Sequence, residues 1–88
     1  MLRLTRRSAR SHEVTLEAEG QIVAEWVALL EQECRDLLDT DNRVSLDLGK
    51  VSYLDQRAVK MLHDLAGRPV SIVNCSPLVA ELLREDAP

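Results

Sequence analysis

Aromatic residues are almost absent from this 88-residue sequence, which has no phenylalanine, one tryptophan and one tyrosine, so any core must be aliphatic. Glycine and proline are also scarce, at three residues each. With 45% hydrophobic and 30% charged residues, the composition is typical of a globular domain rather than of a disordered or fibrous chain. No apolar run approaches the roughly 18–20 residues that span a bilayer. We therefore expect a single domain over residues 1–88 with no direct membrane insertion.

Positive charge is in the minority and is unevenly placed. Eleven Lys and Arg against fifteen Asp and Glu give a net charge of −4, and four of the eleven are Arg3, Arg6, Arg7 and Arg10. A chain without a cationic stripe or stacking aromatics is predicted to bind no nucleic acid. The arginines suit an edge strand, where charge blocks unwanted pairing. No apolar segment of the kind that a signal peptide needs follows them, so we expect a cytoplasmic location.

Signatures of metal binding and catalysis are missing as well. Cys34 and Cys75 lack CxxC spacing, and His12 and His63 stand far apart in the sequence. The sequence contains no Gly-rich phosphate loop, no G-x-S-x-G motif and no paired-carboxylate constellation. These observations favour free thiols in a reducing compartment and predict a protein that is not an enzyme and holds neither a metal nor another cofactor.

Hydrophobic periodicity predicts four strands and three helices. Alternation of period two marks strands at residues 2–8, 13–19, 43–48 and 70–75, and the short link between the first two predicts an antiparallel hairpin. Helical stripes follow at Val23 to Leu38, Ala58 to Ala66 and Leu78 to Leu83, and residues 49–54 are interpreted as a loop or irregular extension. Asp55 and Ser76 are predicted N-caps, and Gly67 is a predicted left-handed residue that ends the second helix.

The order of these elements predicts a two-layer α/β sandwich with a mixed four-stranded sheet and the helices on one face. Two strand-helix-strand units imply parallel pairing with right-handed crossovers, which places both crossover helices on the same side. The opposite face would present polar side chains to water, which favours this architecture over a doubly wound fold. Trp26 is predicted to be buried between the first helix and the sheet. The small core also makes a homodimer compatible with the sequence.

A site is expected at the carboxyl ends of the parallel strands, where open α/β sheets bind ligands and partners. Two helices begin there, and their free N–H groups could hold an anion, although caps at Asp55 and Ser76 could equally satisfy them. Arg57 is unusual because a cation in the first turn of a helix faces the positive end of the helix dipole. Arg57 is either a partner contact or an arginine whose guanidinium extends into water.

Two segments resemble a known family. The run from Val44 to Asp55 resembles the central strand and loop of STAS domains, the fold of anti-sigma factor antagonists, and the run from Val73 to Leu83 resembles the next strand, loop and helix of that fold. Family members commonly continue from the aspartate with Ser-Ser-Gly, whose second serine a partner kinase phosphorylates. Here Gln56, Arg57 and Ala58 stand at those positions, so the resemblance does not extend to the phosphorylation switch.

The resemblance implies a regulatory protein–protein interaction module of the partner-switching type that lacks the usual phosphoacceptor. In the family the loop and helix after the central strand dock on a kinase or an anti-sigma factor. The corresponding partner-binding residues in this chain would be Tyr53, Leu54, Asp55, Gln56, Arg57, Lys60 and Met61. Two alternatives remain open, namely a small-molecule or nucleotide sensor that uses the helix N-termini, and an accessory subunit of a membrane transporter complex.

Overall fold

The computed structural model describes residues 1–85. Strands β1 (Leu2–Arg10) and β2 (Glu13–Ile22) are followed by helix α1 (Glu25–Asp39), strand β3 (Arg43–Leu54), helix α2 (Gln56–Leu65), strand β4 (Val70–Val73) and helix α3 (Pro77–Glu85). The sheet order is β1-β2-β3-β4, with β1 and β2 antiparallel and the other two pairs parallel. The predicted order, hairpin and mixed sheet are confirmed.

The core lies on the helical side of the sheet. Alternate residues of the strands enter it, as Leu16 and Ala18 do from β2 and Val44 and Leu46 do from β3. The helices contribute apolar stripes, and no polar or charged residue in the part of the chain described is fully buried. The other face of the sheet carries the polar residues predicted for it: Thr15, Glu17, Ser45, Asp47 and Ser71.

Strand β3 is longer than the sequence predicts. Of the two interpretations of residues 49–54, the loop is wrong and the irregular extension is confirmed, because these residues continue β3 with breaks in its pairing. Glu17 and Glu19 of β2 lie opposite Asp47 and Lys50, so β3 holds one extra residue there, and a second follows between Val51 and Tyr53. Each extra residue is a β-bulge, which breaks alternation without ending the strand. The core residues of β3 are therefore spaced by two and then by three positions: Val44, Leu46, Leu48, Val51 and Leu54.

Gly20 has a backbone conformation that explains its presence inside β2. Its φ of 110° lies in a region that other residues rarely adopt, and a Cβ atom would overlap the carbonyl oxygen of Met1. The next amide, that of Gln21, donates to the same carbonyl at 3.2 Å. Strand β2 therefore continues through Gly20 to Ile22, and α1 begins later than its apolar stripe indicates.

The ends of the helices agree with the sequence in part. Ser76 Oγ accepts from the amide of Val79 at 3.3 Å, which confirms the predicted cap of α3. The prediction for Gly67 is wrong. Helix α2 ends at Leu65, the following C-cap residue Ala66 has right-handed backbone angles, and Gly67 has no positive φ. Trp26 is half-buried and packs against the core, so the prediction of a largely buried ring is confirmed only in part.

Both cysteines are free thiols. Cys34 lies on the buried face of α1, where burial raises the pKa of its thiol to about 11, and the nearby Glu33 and Glu31 carboxylates contribute to that rise. Burial also raises the pKa of the half-buried Cys75. In residues 1–85 no three metal-ligating side chains come together, and no helix is long and apolar enough to cross a membrane.

Candidate functional site

The predicted site residues lie where β3 ends and α2 begins, at the carboxyl edge of the sheet. Five of the seven reach the surface at least in part, and we call them the β3–α2 surface: Tyr53, Asp55, Gln56, Arg57 and Lys60. They follow one another closely because the last residue of the strand is separated from the first residue of the helix by Asp55 alone.

Leu54 and Met61 do not belong to this surface, which corrects two of the predicted partner contacts. Leu54 is 1% exposed and Met61 is 5% exposed. Leu54 is the last inward-facing residue of β3, and Met61 lies three residues after Ala58 and four before Leu65, on the apolar stripe of α2. Both side chains hold the helix on the sheet and support the exposed residues from below.

Asp55 is the structural centre of the corner. Its Oδ1 accepts from the amide of Ala58 at 2.8 Å, which confirms the predicted N-cap of α2. Its Oδ2 accepts from the amide of Ala24 at 2.8 Å, and its own amide donates to the carbonyl of Ile22 at 3.2 Å. Asp55 therefore ties the start of α2 to the connection between β2 and α1, and both carboxylate oxygens are used within the fold.

Ala24 joins the site although nothing in the sequence marks it. It precedes α1 with φ 52° and ψ −126°, a conformation that is unfavourable for a residue with a Cβ, and α1 has no side-chain cap. Ala24 and four residues of the β3–α2 surface line a shallow depression of about 670 Å³, namely Tyr53, Asp55, Gln56 and Arg57. An alanine carries no chemical signature, so no sequence pattern could have identified it.

The exposed part of this surface combines one aromatic ring with positive charge. Tyr53 is 44% exposed, one of the few large hydrophobic side chains at the surface. Arg57 and Lys60 are both exposed, and neither forms an ion pair with a residue in the range 1–85. By contrast, Lys50 forms an ion pair, with its Nζ 3.6 Å from Oε1 of Glu17. The protein as a whole is acidic, so this corner, like the arginine-bearing strand β1, departs from the average charge of the chain.

No hydroxyl group stands at the position where the resemblance places a phosphoacceptor. Arg57 occupies it, in the first turn of α2. Ser52, the nearest serine along β3, donates its hydroxyl to the carbonyl of Gly20 at 3.2 Å and so stabilises the pairing of β3 with β2. The geometry fits binding through an aromatic ring and cations, and it lacks a serine in the helix turn.

Comparison with known proteins identifies the family. Residues 5–85 match the family model described as "Mlab, STAS domain". Because the match spans nearly the whole chain, the protein belongs to this family of STAS domains, and the resemblance inferred from the sequence is confirmed. No curated protein matches the sequence.

Solved structures show the same fold. The anti-sigma factor antagonist SpoIIAA in its unphosphorylated form superposes with a TM-score of 0.76 at 14% identity, covering 94% of this chain and 79% of that one. A crystal structure of Mglu gives a TM-score of 0.70 at 16% identity, with 84% of this chain and 20% of that one covered. At such low identity these similarities concern the fold alone.

Proposed function

We propose that this protein is a non-enzymatic regulatory module that binds a protein partner through the β3–α2 surface. The observation that carries the proposal is the exposed ring of Tyr53, which lines one depression with Arg57, together with the exposed Lys60 three residues further along α2. Neither cation has an ion-pair partner in the described chain. Aromatic and arginine side chains contribute most to binding energy at protein interfaces. Asp55 fixes the backbone at the start of α2 through two amides, so less backbone entropy should be lost when a partner binds there.

The expected partner presents an acidic face with an apolar recess for Tyr53. Opposite charges across an interface accelerate association and set its orientation. The candidates are an anti-sigma factor, a serine kinase or a subunit of a membrane transporter complex. Because Arg57 replaces the acceptor serine, the proposed interaction is either constitutive or controlled by an input other than phosphorylation at that position.

A nucleotide or small-anion sensor has less support. The amide of Ala58, which an anion at the start of α2 would need, already donates to Asp55 Oδ1. The depression beside it is also shallow, whereas most small-molecule sites enclose the greater part of their ligand.

Charge reversal at the surface tests the proposal. After a partner has been isolated from the native host, wild type and Arg57→Glu are titrated against it by calorimetry. Arg68→Glu is the matched control, because Arg68 is exposed and lies after the other end of α2. We expect Arg57→Glu to raise Kd by roughly 5- to 150-fold and Arg68→Glu to leave it unchanged. Equal affinities for all three proteins would remove Arg57 from the interface.

Two additional measurements separate the classes of partner. Direct binding of ATP or inorganic phosphate to wild type, lost in Arg57→Glu, would replace the protein-binding proposal by the sensor. The double variant Arg57→Ser with Ala58→Gly restores two residues of the family motif. Incorporation of phosphate from ATP into this variant, but not into wild type, would identify the isolated partner as a kinase.

A further inference from the structure

The two edges of the sheet differ in how well they are protected against pairing. The β1 edge carries Arg3, Arg6, Arg7 and Arg10 and has an irregularity between Ser8 and Arg10. Charged residues and bulges are the usual means by which natural proteins block an edge strand. The β4 edge has neither, since its four residues are Val70, Ser71, Ile72 and Val73 and they pair regularly with β3.

The free edge of β4 offers unsatisfied backbone groups. The carbonyl of Pro69 accepts from the amide of Val44 in β3, so in a parallel ladder Ser71 and Val73 also direct their backbone groups toward β3. Val70 and Ile72 must then direct their backbone N–H and C=O groups away from β3, toward the free edge. The amide of Val70 donates to the carbonyl of Arg68 at 2.6 Å, whereas within residues 1–85 no strand pairs with the outward groups of Ile72.

We infer that β4 pairs antiparallel with β4 of a second copy, about a twofold axis at Ser71. In this register Val70 of each copy lies opposite Ile72 of the other, so the amide of each Ile72 can donate to the free carbonyl of Val70. Both side chains of each such pair lie on the helical side and are half-buried, so pairing extends the apolar layer. Moving the axis to Ile72 would place Val70 opposite Asn74, whose φ of 57° is not that of an extended strand, so the carbonyl of Val70 would stay unpaired.

A second copy fits this edge better than the other arrangements available to it. Pairing of β4 with β1 of the next molecule would place the edge against four arginines and, since such contacts are head-to-tail, would extend into a filament. Pairing of β4 with itself is isologous and closes as a dimer, with both arginine-bearing strands at the outside. Four residues form a small contact, so we expect a weak and concentration-dependent dimer.

The inference is tested by measuring the oligomeric state of the full chain. A serine is replaced by lysine on the β4 edge in one variant and on the β1 edge in another. Wild type is measured by sedimentation equilibrium from low to high micromolar concentration, beside Ser71→Lys and Ser8→Lys. Both serines are exposed on edge strands, but Ser71 would face its own copy across the axis, where two lysines repel. We expect wild type and Ser8→Lys to approach twice the 9.9 kDa chain mass, and Ser71→Lys to remain a monomer with an unchanged melting temperature.

Cross-linking gives a second readout that does not depend on loss of binding. Residues opposite each other in a non-hydrogen-bonded antiparallel pair have Cα atoms about 4.5 Å apart, within the range that a disulfide spans. In a Cys75→Ser background, oxidised glutathione should convert Ser71→Cys, but not Ser8→Cys, to a covalent dimer.

Three results would overturn the inference. Wild type could remain monomeric throughout the concentration range. A dimer could persist in Ser71→Lys and fail to cross-link through Ser71→Cys, which would place the contact elsewhere. β4 could also pair with a strand of another protein while the chain alone stays monomeric.

Discussion

The corners that start α1 and α2 lie side by side at the same edge of the sheet, and they are built differently. Helix α2 begins with its own cap, Asp55, whereas α1 begins after Ala24, which has no capping side chain and an unfavourable backbone conformation. The second oxygen of Asp55 holds the amide of Ala24. One carboxylate thus stabilises both corners, which means that the geometry of the proposed binding surface depends on a residue whose side chain is engaged within the fold.

Removing the shared carboxylate should have the largest effect. Asp55→Ala loses the cap of α2 and the bond to Ala24, so we expect the free energy of unfolding to fall by about 2–4 kcal/mol, measured by urea denaturation. Asp55→Asn is the informative control. The single amide oxygen of the asparagine can cap α2, but its NH₂ group cannot accept a hydrogen bond from Ala24. The free energy of unfolding should therefore fall by about half as much as in Asp55→Ala. If the Asp55→Asn variant equalled wild type in stability, the bond to Ala24 would contribute nothing.

Trp26 tests the α1 corner by itself. Because the ring is half-buried, Trp26→Ala should cost about 2 kcal/mol, less than the roughly 3–5 kcal/mol typical of a fully buried aromatic residue. Tryptophan emission of the folded protein should lie between that of a buried ring and that of free tryptophan. Leu29→Ala, an exposed substitution in the same helix, should change stability little. A cost for Trp26→Ala no larger than that of Leu29→Ala would contradict this description.

Relieving the backbone of Ala24 should stabilise the weaker corner. Glycine adopts φ 52° without strain, so Ala24→Gly should raise the free energy of unfolding by about 1 kcal/mol, the relief of strain exceeding the added entropy of the unfolded chain. The same substitution at Ala28, an exposed position inside α1, should lower it by about 1 kcal/mol. Thermal denaturation measures both variants. A higher melting temperature for Ala24→Gly and a lower one for Ala28→Gly would support strain at Ala24, and equal decreases would refute it.

Arg57→Glu affects the α2 corner with the smallest change in stability. An acid at the positive end of the helix dipole should raise stability by roughly 0.3–1 kcal/mol, while the variant loses affinity for its partner. Arg57→Gln removes the charge without reversing it, so its stability and its affinity for the partner should both lie between those of wild type and Arg57→Glu. A decrease in melting temperature for Arg57→Glu would instead indicate that the arginine supports the fold.

Much of the fold could be predicted because its signals are local. Alternation identified most of β1 and β2 and the first half of β3, and it extended β4 two residues beyond its end at Val73. The sequences at Asp55 and Ser76 identified two helix starts. The second half of β3 could not be read in this way because its bulges destroy the period-two pattern while the hydrogen-bonded ladder continues. The prediction of a left-handed conformation at Gly67 was wrong because glycine permits that conformation without requiring it.

The candidate site was predictable in position but not in composition. Proximity along the chain placed Met61 in the set, although its spacing from Ala58 and Leu65 already indicated the buried face of α2. The second bond of Asp55 could not be foreseen, since it joins residues 31 positions apart and its donor is a backbone amide. Exposure of Tyr53 likewise depends on which side of β3 it occupies after two bulges.

The bulges of β3 also bear on how this chain can vary in length. Between Leu48 and Leu54 each step from one inward residue to the next holds one residue more than the ordinary strand spacing. Loss of a single residue such as Lys50 would restore that spacing and leave every inward side chain in place. The same loss at Ser45 would turn the following residues over, because nothing there can absorb it. A single-residue deletion beside the β3–α2 surface should therefore change the side chains displayed there while leaving the interior unchanged.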